Sequence, residues 1–161
     1  MRKLLYLVLF VSFVSFSQDY FESGFEKHEN GDYYGAISDY TKAIEVNPND
    51  DYAYYNRGFS KAKLEDYKEA ISDFTIALDI NPNYTNAYNN RGLSKAKLKD
   101  YYGAIEDYTK AIEIDPDYAL AFQKRAFQKG LWEAWAVLVR TLQKAQELGA
   151  DASGLINEGY S

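Results

Sequence analysis

The sequence predicts an all-α chain built as a solenoid of stacked helical hairpins, and three observations predict it. Pro48, Pro82 and Pro116 recur at a period of 34 residues. The stretch Tyr54-Tyr-Asn-Arg-Gly-Phe-Ser-Lys-Ala-Lys-Leu-Glu-Asp-Tyr67 returns almost unchanged as Tyr88-Asn-Asn-Arg-Gly-Leu-Ser-Lys-Ala-Lys-Leu-Lys-Asp-Tyr101. Between the prolines, apolar residues are spaced by three and four, which puts them on one face of a helix. A unit of this size cannot bury its apolar face alone, so successive copies must stack.

The chain begins with an export signature. Arg2 and Lys3 precede an apolar run from Leu4 to Phe16, and Ser15-Phe-Ser17 supplies a small-x-small cleavage site before Gln18. A membrane anchor is the competing reading. Thirteen helical residues span roughly 20 Å, short of the roughly 30 Å of hydrocarbon in a bilayer. The expected organisation is a signal peptide over 1–17, a repeat domain over 18–150 and a capping tail over 151–161. No stable membrane insertion is expected once the signal is removed.

The first unit runs from about Ser17 to Asp50. Tyr20, Gly24 and Lys27 share a face of its first helix, and Asn30-Gly31-Asp32 supplies a turn ending in an N-cap. The second helix carries Tyr33, Ala36, Ile37, Tyr40, Ala43, Ile44 and Val46, and Asn47-Pro48 stops it. The second unit, Asp51 to Tyr84, repeats this with Asp66 as inner cap and Pro82 as stop. The third, Thr85 to Tyr118, does so with Asp100 and Pro116. Small and large residues alternate as Ala70, Phe74, Ala77 and again as Ala104, Tyr108, Ala111, which lets two helices approach closely.

On these residues (Tyr54, Gly58, Ala70, Phe74, Ala77, Pro82 and their counterparts Tyr88, Gly92, Ala104, Tyr108, Ala111, Pro116) the chain resembles the tetratricopeptide repeat family. The resemblance implies a right-handed superhelix of helical hairpins and an activity of holding a peptide or partner helix. The abrupt Phe-Ser-Gln end of the leader resembles exported proteins of the Bacteroidetes type. A fourth unit, 119–150, departs from the pattern. Leu138 stands where Ala36, Ala70 and Ala104 stand, an insertion that typically costs about 1–3 kcal/mol unless the helices move. Ala134 replaces the capping Asp, so the turn is expected to shift toward Gly130, with Trp132 and Trp135 filling the wider gap. Ala152 to Glu158 are expected to form a short polar-faced cap.

Charge follows the repeat. Asp39, Asp73 and Asp107 recur on second helices, and Arg57, Arg91 and Arg125 on the first helices of the units that follow. Ser23 and Thr141 break the series at its two ends. Pairing each Asp with the Arg of the next unit leaves no member over, so a charge link across the stacking interface is expected.

In the family it resembles, the first helix of each hairpin lines a concave groove. That implies a partner-binding surface of Phe21, Phe25, Tyr52, Tyr55, Asn56, Phe59, Lys63, Asn86, Asn89, Asn90 and Lys97, with Leu93 among them. Aromatic rings offer rigid contact area and Asn side chains hydrogen-bond a ligand backbone. Relatives that grip the C-terminal carboxylate of heat-shock chaperones carry a leading Lys and Asn where this chain has Phe21 and Phe25, so that clamp is not supported. The partner expected is a protein or peptide segment. Carbohydrate stacking on the same rings, and a structural role in an envelope assembly, are the alternatives.

Other chemistries find little support. The 161 residues carry a net charge of −6, and removing Arg2 and Lys3 leaves −8, which disfavours nucleic acid. Cysteine is absent, excluding disulfides, thiolate ligands and cysteine nucleophiles. The single histidine, His28, has no second histidine or nucleophile beside it, so no catalytic site, cofactor or metal is expected. The oxygen-rich segments Asn47 to Asp51 and Asp115-Pro-Asp117 lack calcium-loop spacing and read as caps and turns. Asn83-Tyr-Thr85 matches an N-glycosylation acceptor, a pattern common by chance.

Overall fold

A computed structural model describes residues 17–116 and 124–133, all of whose regular structure is helical. The order is α1 (17–29), α2 (Tyr33–Val46), α3 (Asp51–Lys63), α4 (Tyr67–Ile80), α5 (Thr85–Lys97), α6 (Tyr101–Ile114) and α7 (124–133). Helices α1 and α2, α3 and α4, and α5 and α6 form three hairpins. Each hairpin stacks on the next through α2 against α3 and α4 against α5. Among the described residues no helix is long and apolar enough to cross a membrane.

The small–large–small pattern builds the core as expected. Ala36, Tyr40 and Ala43, then Ala70, Phe74 and Ala77, then Ala104, Tyr108 and Ala111, are all fully buried. Each large ring lies against a glycine of the facing helix. A Cβ added at Gly24, Gly58 or Gly92 would come within 2.9, 3.1 and 2.8 Å of Tyr40, Phe74 and Tyr108 respectively. Side chains essentially never meet as closely as at Gly24 and Gly92, and the Gly58 approach is tighter than most, so the glycines set the helix–helix distance.

The inner turns share one geometry but not one cap. Gly31, Glu65 and Lys99 occupy equivalent positions with φ of 81°, 64° and 66°, the left-handed region that glycine enters most readily. Asp32 and Asp100 accept from the backbone N–H of Gly35 and Gly103. Asp66 stands at the N-cap but its side chain makes no capping bond. A Cβ at Gly35 or Gly103 would lie 2.1 or 2.3 Å from the capping carboxylate, and the second unit has Glu69 there. The Cβ of Glu69 therefore excludes the carboxylate position used in the other two units. At the hairpin junctions, Asn47 Oδ1 accepts from Asn49 N and Asp50 caps Ala53 N, so that oxygen-rich segment serves capping.

The fourth unit differs from expectation. Helix α7 runs without a break through Gly130 and Trp132 to residue 133, so no turn lies at Gly130. A Cβ at Gly130 would meet nothing within 4 Å, so no close approach demands glycine there. The Trp132 ring lies 6.2 Å from that of Tyr102 on α6 rather than filling a gap at a turn. Leu138, Thr141, Trp135 and the expected cap at 152–158 lie outside the described residues, as does the leader up to residue 16.

The expected Asp–Arg link between successive units is also corrected. Arg57 donates twice to Asp73 within its own hairpin, at 2.9 and 2.8 Å, and Lys61 adds a bond at 2.7 Å. Arg91 treats Asp107 in the same way, at 3.0 and 2.7 Å, with Lys95 at 2.8 Å. The reason is the glycine contact. The site of a Gly58 Cβ is 3.1 Å from Asp73 Cβ, so the carboxylate faces α3, the helix that carries Arg57. In the first hairpin Ser23 donates to Asp39 at 2.7 Å, and Lys27 and Lys42 complete the site. Ser23 is therefore a partner of Asp39 rather than the end of a series. Across the interface each Arg finds a neutral hydroxyl and not a carboxylate: Arg57 Nη1 donates to Thr41 and Arg91 Nη1 to Thr75, each at 3.1 Å.

Candidate functional site

The expected groove residues divide into those consumed by packing and those left exposed. Phe21 packs on the Ala43–Ile44–Ala53 cluster, with its ring 5.6 Å from Tyr40. Tyr55 lies between Phe59, Phe74 and Tyr84, at 6.2, 5.8 and 4.7 Å, and its hydroxyl accepts from Asn90 Nδ2 at 2.9 Å. Phe59 stacks on His28 at 5.0 Å, and Lys63 Nζ lies over the Phe59 ring, 5.1 Å from its centroid. Asn56 donates to its own helix at Tyr52 O, and Asn89 is buried at 3% exposure. Phe25 and Tyr52 are exposed at 51% and 57%, and Lys63, Asn86 and Lys97 are exposed with them.

His28 is a joint between hairpins. Besides Phe59, it meets Tyr33 edge-on at 5.2 Å, and its Nδ1 lies 2.8 Å from Ser60 Oγ. Ser60 gives its proton to Asn56 O, so Nδ1 carries the proton and donates. Burial, opposed by Glu29 and reinforced by Lys63, holds the imidazole below the ordinary histidine range. Among the described residues no three His, Asp or Glu side chains converge as metal ligands would.

Asp39 shows the strength of its surroundings. Burial alone would raise its carboxyl, but hydrogen bonds from Lys27, Ser23 and Lys42 outweigh it and bring it down to about 2. The site is a structural anchor, since every donor comes from the same hairpin.

At the other end of the array, α5, α6 and α7 line an open cavity of about 490 Å³. Leu93 and Ala96 of α5 and Phe127 and Leu131 of α7 form its apolar walls, over Tyr101 and Tyr108 of α6. Lys97, Lys124 and Gln128 supply its polar lining. Lys124 Nζ donates to Asn89 Oδ1 at 3.2 Å, and burial pushes its ammonium below the ordinary lysine range. Gln128 is 8% exposed, and its Oε1 is buried without a hydrogen-bond partner.

Of these, the groove expected from sequence contained Asn89, Leu93 and Lys97 but missed Lys124, Phe127 and Gln128. The signal was present. Lys124 follows Asn56 and Asn90 at the period of 34, and Phe127 follows Phe59 and Leu93.

Comparison with known proteins bears on this arrangement. Residues 52–84 and 85–118 match the tetratricopeptide repeat model, and residues 24–65 match a second TPR repeat model. No curated protein matches the chain. Among solved structures, the first TPR of Spaghetti (RPAP3) bound to the HSP90 peptide SRMEEVD is 26% identical with a TM-score of 0.73, over 74% of this chain and 94% of that one. The TPR2B domain of yeast Sti1, in an Hsp70 peptide complex, is 26% identical with a TM-score of 0.68, over 71% and 97%. YrrB, described as a TPR protein with an unusual peptide-binding site, is 26% identical with a TM-score of 0.65, over 68% and 57%.

Proposed function

Because the chain belongs to the tetratricopeptide repeat family, we propose that it is an exported adaptor that holds a peptide or protein segment along its first helices. The single observation that carries this reading is a set of first-helix side chains that stays exposed after the hairpins have packed. Phe25, Tyr52 and Leu93 are large, apolar and open, and Lys63, Asn86 and Lys97 stand among them. Such a mixture of rigid rings and flanking polar groups is what a peptide-binding surface needs. Neighbours at 26% identity hold chaperone peptides, which supports the class of partner without identifying it.

The stacking of Tyr55 and Phe59 on their neighbours removes ring faces that a sugar would need, so the peptide reading is preferred to carbohydrate. Export rests on Arg2, Lys3, the apolar run and Ser15-Phe-Ser17.

The test is a quantitative pull-down from native envelope extract with residues 18–161, beside a Tyr52→Ala, Asn86→Ala variant. Both positions are exposed, and a melting curve of the variant checks that the fold is retained. Partners depleted about fivefold or more on the variant support the groove, a loss of about 1 kcal/mol; identical partner sets overturn it. N-terminal sequencing of the native protein is expected to begin at Gln18, and a retained Met1 would refute export by cleavage.

A further inference from the structure

We propose that the cavity between α5 and α7 is the specificity pocket of this groove, taking a large apolar side chain of the partner with a neighbouring acidic side chain held by Lys97 and Lys124. The proposal rests on the peptide-binding reading above and adds to it which residue types are selected and where.

The pocket has the size and composition of a ligand site. Its volume of about 490 Å³ falls within the roughly 300–1,000 Å³ usual for such sites, and its walls are apolar with few polar groups. Leu93, Phe127 and Leu131 keep 37%, 65% and 37% of their surface exposed, so they offer apolar area that folding has not used. An incoming apolar side chain would bury it.

Charge selects the second residue. Among the described residues the charged groups lining the cavity are the two lysines, in a chain whose net charge is −6. Lys124 is half-buried, and the amide oxygen of Asn89 that accepts from it is neutral and cannot balance its charge. A carboxylate placed there completes a charge-assisted hydrogen bond in a partly desolvated site.

The third constraint is the reach of the groove beyond the pocket. Exposed groove residues continue along α5 on both sides of Leu93, at Asn86 and Lys97, which suits a segment passing across rather than ending there.

Two displayed libraries of random heptapeptides test this on residues 18–161, one closed at both ends within a scaffold and one with a free C-terminus. The closed library is expected to enrich Asp or Glu beside a large apolar residue. A representative selected peptide should bind on the order of tenfold more weakly to Lys124→Met, the size of one charge-assisted hydrogen bond, and normally to Lys124→Arg. Phe127→Ser, at an exposed position, should relax the apolar preference. Melting curves of the variants confirm that the fold is retained, and rescue by arginine separates charge from structure. Enriched peptides without acids, or unchanged binding to Lys124→Met, overturn the pocket while leaving the groove standing. Enrichment from the free-ended library alone replaces the side chain by a terminal carboxylate and also overturns it. Failure of both libraries to yield a binder counts against the groove itself.

Discussion

The joint between the first two hairpins and the joint between α5 and α7 use the same backbone arrangement and reach opposite results. At the first, Phe59 of α3 fills the space with His28 stacked on it, and Tyr55 beside it is enclosed by Phe74 and Tyr84. At the second, two repeats on, Phe127 of α7 stands where Phe59 does but Ala96 of α5 stands where His28 does, and a cavity of about 490 Å³ remains. The repeat determines where a side chain projects, and its volume decides whether that place becomes core or binding surface. A solenoid can thus hold many near-identical hairpins and still open its groove at one of them.

The largest effect expected concerns the ion clusters that hold each hairpin closed. Asp73→Ala leaves Arg57 and Lys61 without their carboxylate in a partly buried site, and should cost about 3 kcal/mol in urea unfolding. A double-mutant cycle should couple Asp73 to Arg57 and find no appreciable coupling to Arg91. The reverse result would restore the link between units. Converting the filled joint toward the open one comes next. Phe59→Ala should cost about 2 kcal/mol, less than a fully buried Phe because the ring is only partly buried. Leu93→Phe, which adds a ring to the open joint, should leave stability within about 1 kcal/mol and weaken peptide capture by filling the pocket. Both are read by denaturant titration, the second also by peptide binding.

The glycines give a smaller but sharper contrast. Gly92→Ala places a methyl at 2.8 Å from the Tyr108 ring and should destabilise by about 1–3 kcal/mol. Gly130→Ala meets nothing within 4 Å and should stabilise α7 by up to about 1 kcal/mol. Equal effects at the two sites would mean that close helix approach is not what Gly92 provides.

The smallest effect is a pH dependence confined to the filled joint. His28 has a folded pKa below its unfolded value, so its contribution to stability is present above the unfolded pKa of about 6.5 and is lost as pH falls through the folded one. Glu29 opposes the shift and Lys63 adds to it. Stability measured from pH 7.5 down to 5.5 should therefore fall by a small amount, and His28→Phe should remove that component. A variant with the same pH profile would assign the dependence to other groups.

Much of the architecture was legible in the sequence because it rests on spacing. The 34-residue period, the Gly–ring contacts and the prolines each recur in phase, and all three hairpins followed from them. The charge pairing was misread because the recurrence of Asp and Arg is equally regular whether they meet within a hairpin or between hairpins. Only the position of Asp73 against Gly58 distinguishes the two. Gly130 was misread as a turn because glycine punctuates chains elsewhere, whereas a helix already running through residues 124–133 tolerates it at a cost of about 1 kcal/mol.

What the sequence determined by itself is the class of the fold, the register of its repeats and the identity of its core, since periodic apolar side chains leave a helix little choice of face. What only the tertiary structure decided is which aromatic rings of the first helices are spent on packing and which remain open. That depends on neighbours distant in the chain: His28 against Phe59, Tyr84 against Tyr55, and Lys124, Phe127 and Gln128 against Leu93. Spacing along one helix gives direction, but the volume left at the end of that direction is set by residues about one repeat away.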